Sequence, residues 1–154
     1  MKGALALAPL SALLLAGASQ LSASPAAMPG VHKPERARVD YLLKCQGCHG
    51  PDGSGNLVNT PQLAGEVAKF LNVPGGRAFL GRVPGVASTD LDDERLAEVL
   101  NWTLYRFDAA HVPAGFKPYS APELAALRKA PLRLDRAEMR AQLMAKMTAK
   151  SSPN

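Results

Sequence analysis

The sequence predicts an all-α fold. Three observations point that way. Apolar residues repeat at helical spacing, most clearly Leu96, Val99, Leu100, Thr103, Leu104 and Phe107. Acidic residues or a proline open most such segments, where they favour a helix start. No run alternates apolar and polar residues in the β-branched pattern of a strand. With 154 residues the chain suits one domain with an adequate core, or one domain plus a tail. Its 47% hydrophobic content excludes a disordered chain, and its two cysteines exclude a disulfide-dense scaffold or a four-cysteine zinc site. Aromatic residues make up only 5%, so a bound group would supply apolar mass that the side chains lack.

The elements follow in order. Lys2 precedes an uncharged Leu- and Ala-rich stretch, Ala4 to Ala18, and Ala16-Gly17-Ala18 or Ala23 offers a cleavage point. Residues 1–23 therefore read as an export signal, with an uncleaved membrane anchor as the alternative. Residues 24–33 read as a flexible leader. Pro34 and Glu35 open a helix that runs into Cys45 with Val39, Leu42 and Leu43 on one face. Gly50 to Pro61 is a loop of several turns, in which Asp52 is a turn residue. Leu63 to Leu71 is expected as a short helix ended by Gly75-Gly76, and Arg77 to Ser88 as mostly irregular chain. Asp92, Asp93 and Glu94 start the strongest helix, through Phe107, with Asp90 as a turn or cap residue before it. After a linker to Tyr119, Ser120 and Glu123 read as a capping box for a short helix with Leu124 and Leu127. Pro131 stops it. Asp135 and Glu138 open a last helix through about Lys150. There Met139, Leu143 and Met147 share one face, expected to be a packing stripe rather than a copper(I) site.

Cys45-Gln46-Gly47-Cys48-His49 carries the chemistry. C-x-x-C-H is the attachment pattern of c-type haem: two thiols three positions apart bond one macrocycle, and the next residue presents an imidazole to its iron. Both cysteines of the chain are used, and an export signal agrees with covalent attachment outside the cytoplasm. A thioredoxin-like redox pair lacks a β context. A disulfide here would close a very small loop, and zinc lacks further Cys or His ligands nearby.

These residues, with what surrounds them, resemble the class I c-type cytochromes from Pro34 to about Phe107. Gly50, Gly53 and Gly55 match that family's Gly-rich loop, and Thr60-Pro61-Gln62-Leu63-Ala64-Gly65 is similar to its Pro-x-Leu-x-Gly segment. Leu91 to Phe107 resembles its terminal helix. The resemblance implies a cytochrome c-like helical domain at 34–108 around one covalent haem c. It implies His49 as the proximal iron ligand and the Pro61 carbonyl as acceptor of its far ring proton. It implies that the first and terminal helices cross, with Leu96, Val99, Leu100, Trp102 and Leu104 as packing. Residues 109–154 form an extension with a helical, basic end. The family draws a sixth ligand, methionine, from the loop before the terminal helix, but Arg82 to Asp90 holds no Met, His, Lys or Cys. His111, a methionine of the extension (Met139, Met144 or Met147) or an open position remain as candidates, with His32 weaker.

The resemblance implies a non-enzymatic, periplasmic electron carrier whose partners are redox proteins, such as a periplasmic dehydrogenase that it accepts electrons from or serves as a haem subunit. The alternative is a five-coordinate haem protein that binds a gas or reacts with peroxide. The formal charge of +5 does not lead to nucleic acid, because the chain is read as exported, and membrane contact is not expected. From Arg128 to Lys150 seven basic residues face Asp135 and Glu138, a net of +5, so the basic character belongs to the extension. Either an acidic partner surface is its counterpart, docked or steered by charge, or the basic helix is merely solvated.

Overall fold

The computed structural model describes residues 27–56 and 59–151, so the export signal expected at residues 1–23 lies outside the described residues. Seven α-helices run through them: α1 (Pro34–Lys44), α2 (Gln46–His49), α3 (Gly76–Arg82), α4 (Pro84–Ala87), α5 (Asp93–Asp108), α6 (Ala121–Leu127) and α7 (Arg136–Ser151). Short 3-10 helices span Val67–Asn72 and Ala109–His111. The fold is all-α, with no strand among the described residues. No described helix is long and apolar enough to cross a membrane.

Helix α5 is the centre. Asp92 caps it, accepting the Arg95 N–H at 2.8 Å. α1 packs on one side of α5 and α6 on another. The apolar stripe of α5 is therefore buried, with Leu104 fully enclosed. α1 presents Ala37, Asp40 and Tyr41 to α5. The small Ala37 lets the helices approach, and the Tyr41 ring lies 5.4 Å from that of Trp102. Asp40, fully buried, is held by the Arg95 guanidinium. The trio Val39, Leu42 and Leu43 faces outward instead, its exposure reaching 69% at Leu43.

The start of α1 depends on a carboxylate from α5. Glu98 accepts the N–H groups of His32 and Lys33 and the Arg36 guanidinium, at 2.5–2.7 Å. Burial pushes its pKa up, but these bonds outweigh burial and hold it below the ordinary 4.5. A carboxyl with a lowered folded pKa adds stability above its unfolded value and loses it as the pH falls. Glu98→Gln is expected to lose about 1–3 kcal/mol at neutral pH, and less of its remaining stability than wild type on acidification, in urea titrations at about pH 7 and about pH 4.

Three local expectations are corrected. Between Leu63 and Leu71 the chain forms turns and a 3-10 helix, because Asp108 takes the Ala68 N–H at 2.8 Å and the Phe107 carbonyl takes that of Gly65 at 2.9 Å. Gly75-Gly76 starts α3 rather than ending a helix: Gly75 has φ +87°, and a Cβ on Gly76 would lie 1.9 Å from the Phe70 carbonyl oxygen. The stretch Arg77 to Ser88 is mostly helical, α3 and α4 broken at the extended Val83, with Phe79 of α3 stacked on Phe70 at 5.1 Å.

The extension is part of the body of the protein. Asn101 of α5 binds the backbone of Tyr119 on both sides, at 2.8 and 3.0 Å. The expected capping box at α6 does not form, because Arg77 captures the Glu123 carboxylate at 2.6 and 2.7 Å. Tyr119, Leu124, Leu132 and Leu143 are buried in the common core. Met139 and Met147 flank Leu143 against it, as a packing stripe should. The end of the leader is also packed: Gly30 turns with φ +78° and lays Met28 and Val31 on the core.

Candidate haem site

α1 ends where the motif begins. The Cys45 N–H still bonds back to Tyr41, and the single turn α2 then closes with His49 N–H to Cys45 and Gly50 N–H to Gln46. One turn thus carries both thiols and the imidazole. Cys45 is half-buried and Cys48 exposed, and both are free. Burial, with the nearby charges of Asp40 and Cys48, pushes the Cys45 thiol up to about 11. Gly50 turns the chain away at φ +76°, and its carbonyl accepts the Tyr41 hydroxyl at 2.7 Å.

The loop that follows returns Pro61 to His49. The His49 Nδ1–H donates to the Pro61 carbonyl at 3.1 Å. That bond fixes the tautomer, leaving Nε2 as the free lone pair. Burial lowers the pKa of His49, and the Pro61 bond offsets this only in part. The ring is therefore neutral at neutral pH, the form that ligates a metal. Two glycines make the loop possible. A Cβ on Gly53 would strike the Phe107 ring at 2.7 Å, and one on Gly55 would stand 2.4 Å from the Thr60 carbonyl and 2.7 Å from that of Pro61. Asp52 is a turn residue as expected, accepting the Ser54 N–H at 3.0 Å.

These residues fit haem c. Two free thiols and one imidazole with an unpartnered Nε2 stand on a single turn, and the space beside Gly47 is open. The Gln46 Oε1, between the cysteines, is buried without a partner.

The other expected ligands lie elsewhere. His111 bonds through Nδ1 to Asp108 and lines a cavity of about 480 Å³ with Lys69, Asn72, Val73, Val112 and Met147. None of Cys45, Cys48, His49 and Pro61 is on its walls. His32 is exposed at the start of α1. Sequence reasoning missed one neighbour of the turn. Asp90, read as a turn residue, pairs with Lys44, the residue before Cys45, at 2.8 Å. A lysine directly before the motif was the available signal.

Two cytochromes c-552 are similar to this chain. One, from Thermus thermophilus, is 36% identical over 103 residues, spanning 55% of this chain and 79% of its own length. The other, from a named strain of the same species, is 36% identical over 103 residues and is covered over 70% of its length. No family model and no solved structure matches the chain. With that identity over most of the relatives' length, the chain belongs to the c-type cytochromes and carries covalent haem c, for which Cys45 and Cys48 have the fitting spacing.

Proposed function

We propose that this cytochrome is an exported, single-haem, class I carrier that moves electrons between redox proteins in the periplasm, one of them a dehydrogenase. The observation that carries the reading is the single turn with both thiols and a histidine whose tautomer Pro61 sets. Haem c, when bound, supplies a one-electron iron couple, and no acid–base pair is needed. Cys45 and Cys48 would hold it through thioether bonds. His49 would offer its iron Nε2, while the Pro61 carbonyl keeps that ring oriented and electron-rich. His111 has no role at the iron in this reading. The exposed cations Arg133, Arg136 and Lys146 of the extension favour a partner with an acidic surface.

The test is the optical spectrum of the purified holoprotein, oxidised and reduced, with and without carbon monoxide. A carrier gives a low-spin spectrum that carbon monoxide leaves unchanged, and a reversible one-electron titration. A high-spin oxidised form with rapid carbon monoxide uptake overturns the carrier reading. His111→Ala is expected to leave the spectrum as it was; a changed spectrum makes His111 a ligand.

A further inference from the structure

Arg128, just after α6, reaches across to the segment between α4 and α5. Its Nε donates to the Ala87 carbonyl at 3.3 Å, and its Nη1 to the Leu91 carbonyl at 2.9 Å and to the Asp93 carboxylate at 3.0 Å. Its Nη2 donates to the Thr89 carbonyl. Three carbonyls and a carboxylate of one short segment thus converge on one guanidinium, a geometry that suits its planar fork and not a lysine ammonium. Close by, the Leu132 N–H donates to the Arg82 carbonyl at 2.8 Å and Arg82 Nε to that of Ala130 at 2.6 Å. On its other side the segment is tied to the haem turn, through Asp90 and the Lys44 that precedes Cys45.

We infer that Arg128 is a positioning residue for the haem environment: it clamps residues 87–93 against the start of the Cys45–His49 turn. The extension would thereby set how readily small molecules reach the iron of a haem held by that turn. This rests on the haem reading above. Joined to the start of the haem turn through Asp90 and Lys44, the segment holds no Met, His, Lys or Cys, so it would flank a bound haem as a wall and not as a source of such a ligand. A wall is only as effective as it is fixed, and this one is a turn after the four-residue helix α4. It is anchored by Leu91 in the core, by the Asp92 cap on α5, by the Arg128 bonds and by the Lys44 pair. Lys44–Asp90 is an exposed ion pair of small worth, so of the two side chains that reach the segment from outside α5 Arg128 makes the stronger tie.

The experiment compares the wild-type holoprotein with Arg128→Gln and Arg128→Lys, and with Leu143→Ala, a loss of core packing on α7 that touches none of these groups. Covalent haem is confirmed first by the absorbance of the pyridine complex; wild-type protein without haem fails the haem reading itself and not the clamp. Two readouts follow: amide hydrogen exchange over residues 87–93, and the rate at which added imidazole binds the oxidised iron. Arg128→Gln is expected to raise both by about ten-fold, and Arg128→Lys by about three-fold, since several charge-assisted bonds are lost or weakened. Leu143→Ala is expected to change neither by more than about two-fold, because the segment exchanges through local opening that a loss of global stability leaves as it was. Faster exchange with an unaltered imidazole rate reduces Arg128 to a structural brace and overturns the inference. So does the same acceleration in Leu143→Ala, or no change in exchange. If Arg128→Gln does not fold, the lysine variant decides on the same criteria.

Discussion

Replacing both Cys45 and Cys48 by alanine is expected to abolish covalent haem. After acid–acetone extraction the polypeptide should show no haem absorbance, and its mass should be that of the bare polypeptide without haem. Either single variant should retain a reduced amount through one remaining thioether bond. His49→Ala should behave differently: the covalent mass stays, and the spectrum changes, because the imidazole is not a point of attachment. The pair of results separates the two roles that one turn combines. The double variant should also be less stable. Aromatic residues are only 5% of the chain, and Val39, Leu42 and Leu43 stand exposed on the helix leading into the turn, so a large apolar group adds packing that side chains do not provide. Haem that survives extraction from the double variant would overturn the assignment of both cysteines.

The haem turn was legible in the sequence because covalent attachment forces its reactive groups to be sequence-local, five consecutive residues from Cys45 to His49. Pro61 is twelve residues from His49. Spacing does not reveal such a partner, and it came only from the family resemblance. α5 was legible for another reason: its acidic start and its apolar stripe agree with each other. α3 and α4 were not, since Gly81, Pro84 and Gly85 act locally as breakers. In the folded chain Gly81 is small because Leu127 lies against it, a Cβ there coming within 2.5 Å of the Leu127 Cδ1, and Pro84 opens α4 at its first position. At Gly81 a tertiary contact outweighed propensity; at Pro84 the proline sits where a helix start favours it. The same competition undid the capping box, because a bidentate Arg77 offers Glu123 more than a backbone N–H. Charge counting saw a basic tail but not its division of labour. Arg128 is consumed inside the protein, while Arg133, Arg136 and Lys146 remain exposed.

Leu124→Ala is expected to lower the stability of the holoprotein by about 3 kcal/mol, with an unfolding midpoint about 10 °C lower. Leu124 belongs to the extension, yet its relative exposure is 0%, and it sits where α6 meets α5 and α3. Its Cδ2 would lie 3.3 Å from a Cβ on Gly81, so the cavity left by alanine is walled by backbone and has little freedom to collapse. Met144→Ala, on the outer side of α7 and 38% exposed, serves as the contrast and should cost no more than about 0.5 kcal/mol. Urea and thermal unfolding, followed by circular dichroism, check both. A loss below about 1 kcal/mol at Leu124 would mean that the extension is a separable appendage. The large loss would mean that it folds with the haem domain as one cooperative unit. In that case its removal unfolds the domain, and its influence on the haem has to be read from point changes such as Arg128→Gln.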